Sequence, residues 1–162
     1  MYKRVIVTLD GSELARAAVK QAVALVSGTG TEVVVFEAIE PVQALRSRLL
    51  GETFEFTGGR AEAIAELAES QHFVQREEAH SEVEWAAEEL RNAGVTVTTD
   101  VAEGRPGNAI LDAAERHGAE AIIMATRGAG GLGREVVGSV AEYVLRHVGS
   151  RALILAGPRI AN

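Results

Sequence analysis

The chain has 162 residues, 23 of them acidic and 16 basic, and a net charge of −7 at neutral pH. It contains no cysteine, which removes disulfides, thiolate zinc sites and cysteine nucleophiles, and its size is enough for one domain with a core that needs no staples. The acidity argues against nucleic acid as a partner, since that affinity rests on basic groups meeting phosphates. The longest apolar runs, Ala121 to Ala125 and Ala152 to Ala156, fall far short of the ~20 residues that span a bilayer, so no membrane is expected. Met1 to Leu9 is followed by Asp10 and Glu13 where a signal peptide would have its cleavage region, and a cytoplasmic location is expected.

Arg4 to Leu9 is a β-branched run stopped by Asp10-Gly11-Ser12, which predicts a strand and a turn. Leu14, Ala18, Ala22 and Leu25 then recur at helical spacing, and Gly28 to Gly30 ends that helix. Glu32 to Ile39 reads as a second strand whose nearly continuous apolar content suits burial on both faces and hence parallel pairing. Residues 41 to 59 hold Pro41, Gly51, Gly58 and Gly59 with no sustained period and are read as a variable linker. Arg60 to Asn92 has no proline or glycine and predicts a long helix, with a possible break near His72 and Phe73; Val83, Ala86 and Leu90 form its stripe and Gly94 its stop.

Val95 to Val101 alternates as a third strand, and Gly104 with Pro106 opens a helix carrying Ile110, Leu111 and Ala114. Ala121 to Ala125 is a fourth strand, about Gly138 to His147 a helix with Val140, Val144 and Leu145 on one side, and Ala152 to Ala156 a fifth strand. Strand and helix alternate throughout, which predicts a single α/β domain built on a doubly wound parallel sheet with helices on both faces. Its ligands would lie at the carboxyl ends of the strands. Asp10, Ala38 and the loop after Ala125 stand at those ends.

Five of the 17 glycines fall between 128 and 138. A strand feeding a glycine-rich turn into a helix presents unshielded N–H groups and the positive end of a helix dipole, which suits phosphate. Ser139 adds a hydroxyl there, with helix capping as its alternative role. Gly128 to Gly133 satisfies G-x-G-x-x-G, but it follows the fourth strand and lacks a ribose-binding acid some 20 residues on, which argues against NAD. The same stretch is no P-loop, because Arg134-Glu135 stands where Lys and Ser/Thr are required. A receiver-type phosphoacceptor at Asp10 would need more acids beside it and a lysine after the last strand, yet the only lysines are Lys3 and Lys20. The four histidines, His72, His80, His117 and His147, have no metal spacing and suit surface or helix-end positions. Neither a catalytic set nor a metal-ligating set can be nominated.

A longer spacing fits better: Ala125-Thr126-Arg127-Gly128, nine residues from Ala129 to Val137, then Gly138-Ser139. With Val5 to Ser12, Gly104-Arg105-Pro106 and Ile122-Ile123-Met124, this makes nearly the whole chain resemble the universal stress protein family, whose ATP-binding members carry glycine, two residues, glycine, nine residues and Gly-Ser or Gly-Thr. The resemblance implies a Rossmann-like sheet in the order 3-2-1-4-5, a homodimer and a nucleotide-dependent switch or sensor in the stress response. The ligand it implies is ATP, with AMP or ADP as alternatives and magnesium as a companion. The nucleotide-binding positions carried over are Thr8, Asp10, Ala38, Ala125, Thr126, Arg127, Gly128, Ala129, Gly130, Gly131, Gly138, Ser139 and Val140. Two alternatives stay open: a family dimer that acts through protein–protein contacts without ATP, and a weak ATPase. Ala125, in place of the first motif glycine, adds a methyl group where the family's backbone approaches the nucleotide. Ala152 to Ala156 would be an apolar edge strand, which natural proteins seldom leave uncovered, so the dimer is expected to form there.

The charge is also unevenly placed. Residues 52 to 92 hold eleven acids and three bases, a local −8, and the remainder of the chain is +1. Arg127, Arg134, Arg146 and Arg151 outnumber Glu135 and Glu142 around the glycine-rich loop, which is therefore mildly positive.

Overall fold

The computed structural model describes residues 1–51, 59–126 and 137–157. Five parallel strands, β1 (Arg4–Leu9), β2 (Glu32–Ile39), β3 (Val97–Glu103), β4 (Ala121–Ala125) and β5 (Ala152–Ala156), form one sheet in the order β3-β2-β1-β4-β5. The order reverses between β1 and β4, and β1 pairs with both β2 and β4 at the centre. Helices α1 (Glu13–Val26), α2 (Val42–Gly51), α3 (Gly59–Asn92), α4 (Pro106–Arg116) and α5 (Ser139–His147) complete the described elements.

Successive strand residues face opposite sides of the sheet, so each central strand feeds two cores. On one side Val5, Val7, Val33, Val35 and Ile123 pack under Ala15, Val19 and Ala22 of α1 and Val83, Ala87 and Leu90 of α3. On the other side Ile6, Val34, Phe36 and Ile122 pack under Ile110, Ala113 and Ala114 of α4 and Ala141 and Val144 of α5. Both helices of this second layer approach closely: a Cβ on Gly107 would overlap Tyr143 Cδ1 and stand 3.1 Å from its Cε1 and Cγ, so glycine is what lets α4 meet that ring.

Several expectations change in detail. Residues 42–51 of the expected linker are helix α2, held by one fully buried residue, Leu45, and started by Pro41, whose carbonyl accepts from the N–H groups of Ala44 at 2.9 Å and Leu45 at 3.1 Å. One buried side chain in ten residues leaves no period to read. Helix α3 runs unbroken through His72 and Phe73, because neither residue disrupts the backbone ladder and the helix is anchored at both ends by Ile64, Ala68, Val83 and Leu90. Strand β3 begins at Val97, two residues later than the alternation suggested, and ends at Glu103. Leu25 and Leu145 are exposed; Val26 and Ala141 take the buried places. Among the described residues, no helix is long and apolar enough to cross a membrane.

Candidate functional site

The C-terminal ends of β1, β2 and β4 share one edge of the sheet, beside the point where the strand order reverses. That is where open α/β sheets hold ligands. A cavity of about 540 Å³ opens there, lined by Asp10, Gly11, Glu37, Ala38, Ile39, Glu40, Gln75, Glu78, Glu82 and Pro106. Its floor is the ends of β1 and β2, one wall is the middle of α3, and the other is the first residue of α4.

The turn after β1 is fixed by short bonds. Gly11 takes a positive φ of 74°, and Asp10 Oδ1 accepts from Ser12 N at 3.1 Å and Ser12 Oγ at 2.6 Å. Ser12 in turn caps α1 by accepting from Ala15 N at 3.1 Å. Capping therefore falls to Ser12, and Asp10 braces it while lining the cavity.

Of the residues expected to bind nucleotide, the cavity brings together Asp10 and Ala38. Thr8 is buried within β1, opposite Phe36 of β2. Ala125, at the end of β4, is buried in the cluster beneath α1 with Val7, Leu9 and Ile123, so its methyl group has core neighbours. Thr126 is anchored to β5 by its N–H, which donates to the Ala156 carbonyl at 2.9 Å, and its own carbonyl accepts from Gly138 N at 2.7 Å. That last bond draws together the two ends of the glycine-rich stretch. Gly138 is the cap of α5, Ser139 its exposed first residue and Val140 half-buried. Ser139 thus does not cap the helix: the chain enters one residue earlier, and Gly138 holds that position without a side-chain bond. Arg127, Gly128, Ala129, Gly130 and Gly131 lie outside the described residues, as does Arg134.

The cavity is strongly acidic, with carboxyl groups from Asp10, Glu37, Glu40, Glu78 and Glu82. Two are paired with cations: Arg16 of α1 binds Glu82, with Nε at 3.1 Å from Oε2, and Arg48 of α2 stands 3.2 Å from Glu40. Glu37 is different. Burial, and then the charges of Glu82, Asp10 and Glu78, push its carboxyl up to about 7. Its partners in the wall, Gln75, Glu78 and Glu82, follow one another along the inner side of α3, a contribution from a helix distant in sequence. The signal available for Glu37 was local: it is the one charged residue inside the apolar run Val33 to Ile39. His72, expected on the surface, is buried on α3 with Nε2 3.0 Å from Glu103 Oε1, because this face of the helix lies over the end of β3.

Comparison with known proteins agrees with this architecture. Residues 1–155 match the model of the universal stress protein family. The chain is 32% identical over 154 residues to universal stress protein Sll1388 of Synechocystis, covering 95% of this chain and 97% of that one. Among solved structures it resembles protein MJ0577 of Methanocaldococcus jannaschii, with a TM-score of 0.78, 24% identity and 99% of each chain covered. It also resembles a universal stress protein of Archaeoglobus fulgidus solved in complex with dAMP, with a TM-score of 0.61, 20% identity and 95% and 97% coverage. A further neighbour, a universal stress protein solved with cAMP, has a TM-score of 0.59 at 17% identity and covers 99% of both chains. The match over nearly the whole length, joined to the 3-2-1-4-5 parallel sheet, makes this chain a member of the universal stress protein family.

Proposed function

We propose that the protein binds an adenine nucleotide, ATP before AMP or ADP, and serves as a nucleotide-dependent switch or sensor in the stress response. The observation that carries this reading is the cavity at the reversal point of the sheet, formed by Asp10 and Ala38 at the ends of β1 and β2. Its acidic lining repels phosphate and suits a base and ribose, whose amino and hydroxyl groups donate hydrogen bonds. The phosphates then belong at the mildly positive stretch beyond β4, where glycine N–H groups and the start of α5 offer donors. The binding residues under this reading are Thr8, Asp10, Ala38, Ala125, Thr126, Arg127, Gly128, Ala129, Gly130, Gly131, Gly138, Ser139 and Val140. Magnesium would accompany the triphosphate. The dAMP and cAMP complexes of two structural neighbours support an adenine nucleotide as the ligand class.

Calorimetric titration with ATP and with AMP tests the reading, and saturable heat is expected. Combining Gly128→Val with Ser139→Ala is expected to weaken ATP binding at least ~10-fold, since the first crowds the phosphate approach and the second removes a hydroxyl donor. Unchanged affinity in that variant would refute the loop assignment, and a folded wild type giving no heat with either nucleotide would refute nucleotide binding.

We also propose that the protein is a homodimer joined through β5. Residues Ala152, Leu153, Ile154 and Leu155 are only half-buried on this terminal strand of the sheet, and an apolar edge of that kind invites pairing. Sedimentation at micromolar concentration is expected to give twice the chain mass of 17.1 kDa. A monomer under those conditions would contradict the dimer without touching the nucleotide site.

A further inference from the structure

The middle of α3 holds three large apolar side chains in water: Phe73 is 64% exposed, Val74 49% and Leu67 47%. They lie on the side of the helix opposite Ile64, Ala68, Ala79 and Val83, which are buried against the rest of the domain. Exposed Ser70 is three positions from Leu67 and from Phe73 and four from Val74, the separations at which helix residues are neighbours, so the large side chains stand round a small one. Leu67, Ser70, Gln71 and Val74 thereby form the four-residue hole that a side chain of a second helix enters, and Ser70, Phe73, Val74 and Glu77 form the next. Apolar residues scattered singly on a surface need no explanation, whereas a contiguous group with this spacing marks a contact site.

The charge around this stripe selects its partner. Glu62, Glu66, Glu69 and Glu77 are exposed on α3, and none of them pairs with a cation among the described residues. The only base between Arg60 and Arg91 is Arg76, whose guanidinium is turned to Glu103 of β3 at 2.9 Å. Such a face repels nucleic acid and anionic lipid. It also repels itself, because a two-fold contact through the stripe would set the same carboxylates against their copies. We propose that the outer face of α3 from Leu67 to Glu77 is a docking surface for a basic amphipathic helix of another protein, whose apolar stripe enters the two holes while its Lys or Arg side chains meet the flanking carboxylates. The stripe from Leu67 to Val74 is only ~10 Å long, a contact of the small, transient kind. It stands independently of the nucleotide reading.

The probe is a synthetic helix of about 18 residues with leucine at the a and d positions of each heptad and lysine at e and g. Fluorescence anisotropy is expected to show one-to-one binding with a micromolar Kd. A peptide of the same composition in scrambled order, and one with glutamate for lysine, are each expected to bind at least ~10-fold more weakly. Two variants of the protein are expected to lose at least ~10-fold in affinity for the probe: Leu67→Ser, Phe73→Ser and Val74→Ser combined, and Glu66→Gln, Glu69→Gln and Glu77→Gln combined. All six positions are exposed, and either variant decides alone if the other does not fold. Absence of saturable binding, equal binding of the scrambled peptide, or affinity undiminished in a folded variant would overturn the assignment. Self-association of wild type that the serine substitutions abolish would make the occupant a second copy, and binding to phosphatidylglycerol vesicles abolished by them would make it a membrane; each would overturn the basic helix as partner.

Discussion

Replacing Phe36 with alanine is expected to lower the unfolding free energy by about 3–5 kcal/mol, the range for deleting a buried aromatic side chain together with the cavity it leaves. Phe36 is fully buried at the centre of β2, opposite Thr8 of β1 and Asp100 of β3, and packs with Ile6, Val34, Ile110 and Ile122. β2 is itself hydrogen-bonded on both sides, to β1 and to β3, and cannot collapse inward to fill the space. Against a total stability of about 5–15 kcal/mol for a domain of ordinary size, the loss is large. It corresponds to a fall in melting temperature of roughly 10 °C. Phe73→Ala provides the comparison, since Phe73 is 64% exposed on α3 and its truncation should change stability by less than about 0.5 kcal/mol. Thermal or urea unfolding of both variants distinguishes them. Equal effects would mean that β2 is not an interior strand covered on both faces.

That contrast also marks what a sequence reveals. Phe36 stands in a run, Val33 to Ile39, whose apolar content persists on both faces, and a strand covered on both sides leaves that pattern. β1, β2, β4 and β5 were legible as short apolar runs and β3 by its alternation, and with them the succession of strand and helix that implies a parallel doubly wound sheet. Phe73 has the same side chain on a helix whose apolar stripe is built largely from alanine, so composition alone does not say which way it points. Helix α2 left no pattern because Leu45 alone anchors it, and β3 was displaced because Val95 and Thr96 share the alternation of the strand they precede.

The site divides in the same way. Asp10 and Ala38 could be placed from the ends of their strands, since topology brings strand ends together. Gln75, Glu78 and Glu82 could not. They reach the cavity from the middle of a 34-residue helix, where charge ordinarily means a solvated face, and only the packing of α3 across the end of β2 brings them in. Much of the acidity noted in residues 52 to 92 stays on the outer side of α3, but this fraction of it turns toward the ligand end of the sheet. The consequence is a division of the proposed site into an acidic part that excludes phosphate and a mildly basic part that attracts it.

The same convergence gives the protein a pH dependence opposite in sign to that of a salt-bridged acid. An unfolded chain releases the Glu37 proton near 4.5, whereas the folded protein holds it up to about 7, first because of burial and then because of Glu82, Asp10 and Glu78. Between those values the native state binds more protons than the unfolded state, so the Glu37 contribution to stability falls as pH rises through that window and is level above it. A displacement of this size would amount to roughly 3 kcal/mol in full. Glu37 still meets solvent at the cavity mouth, and screening there reduces the expected effect to about 1–2 kcal/mol. Glu37→Gln removes the ionisation while keeping the shape. The variant is expected to match wild type at pH 4, below the value at which the unfolded chain ionises, and to exceed it by that amount at pH 8, with a melting temperature about 3–6 °C higher. Unfolding curves at the two pH values decide the matter. A glutamine variant no more stable than wild type at pH 8 would mean that Glu37 ionises there without cost, and that the carboxyls of β1, β2 and α3 do not act on one another across the cavity.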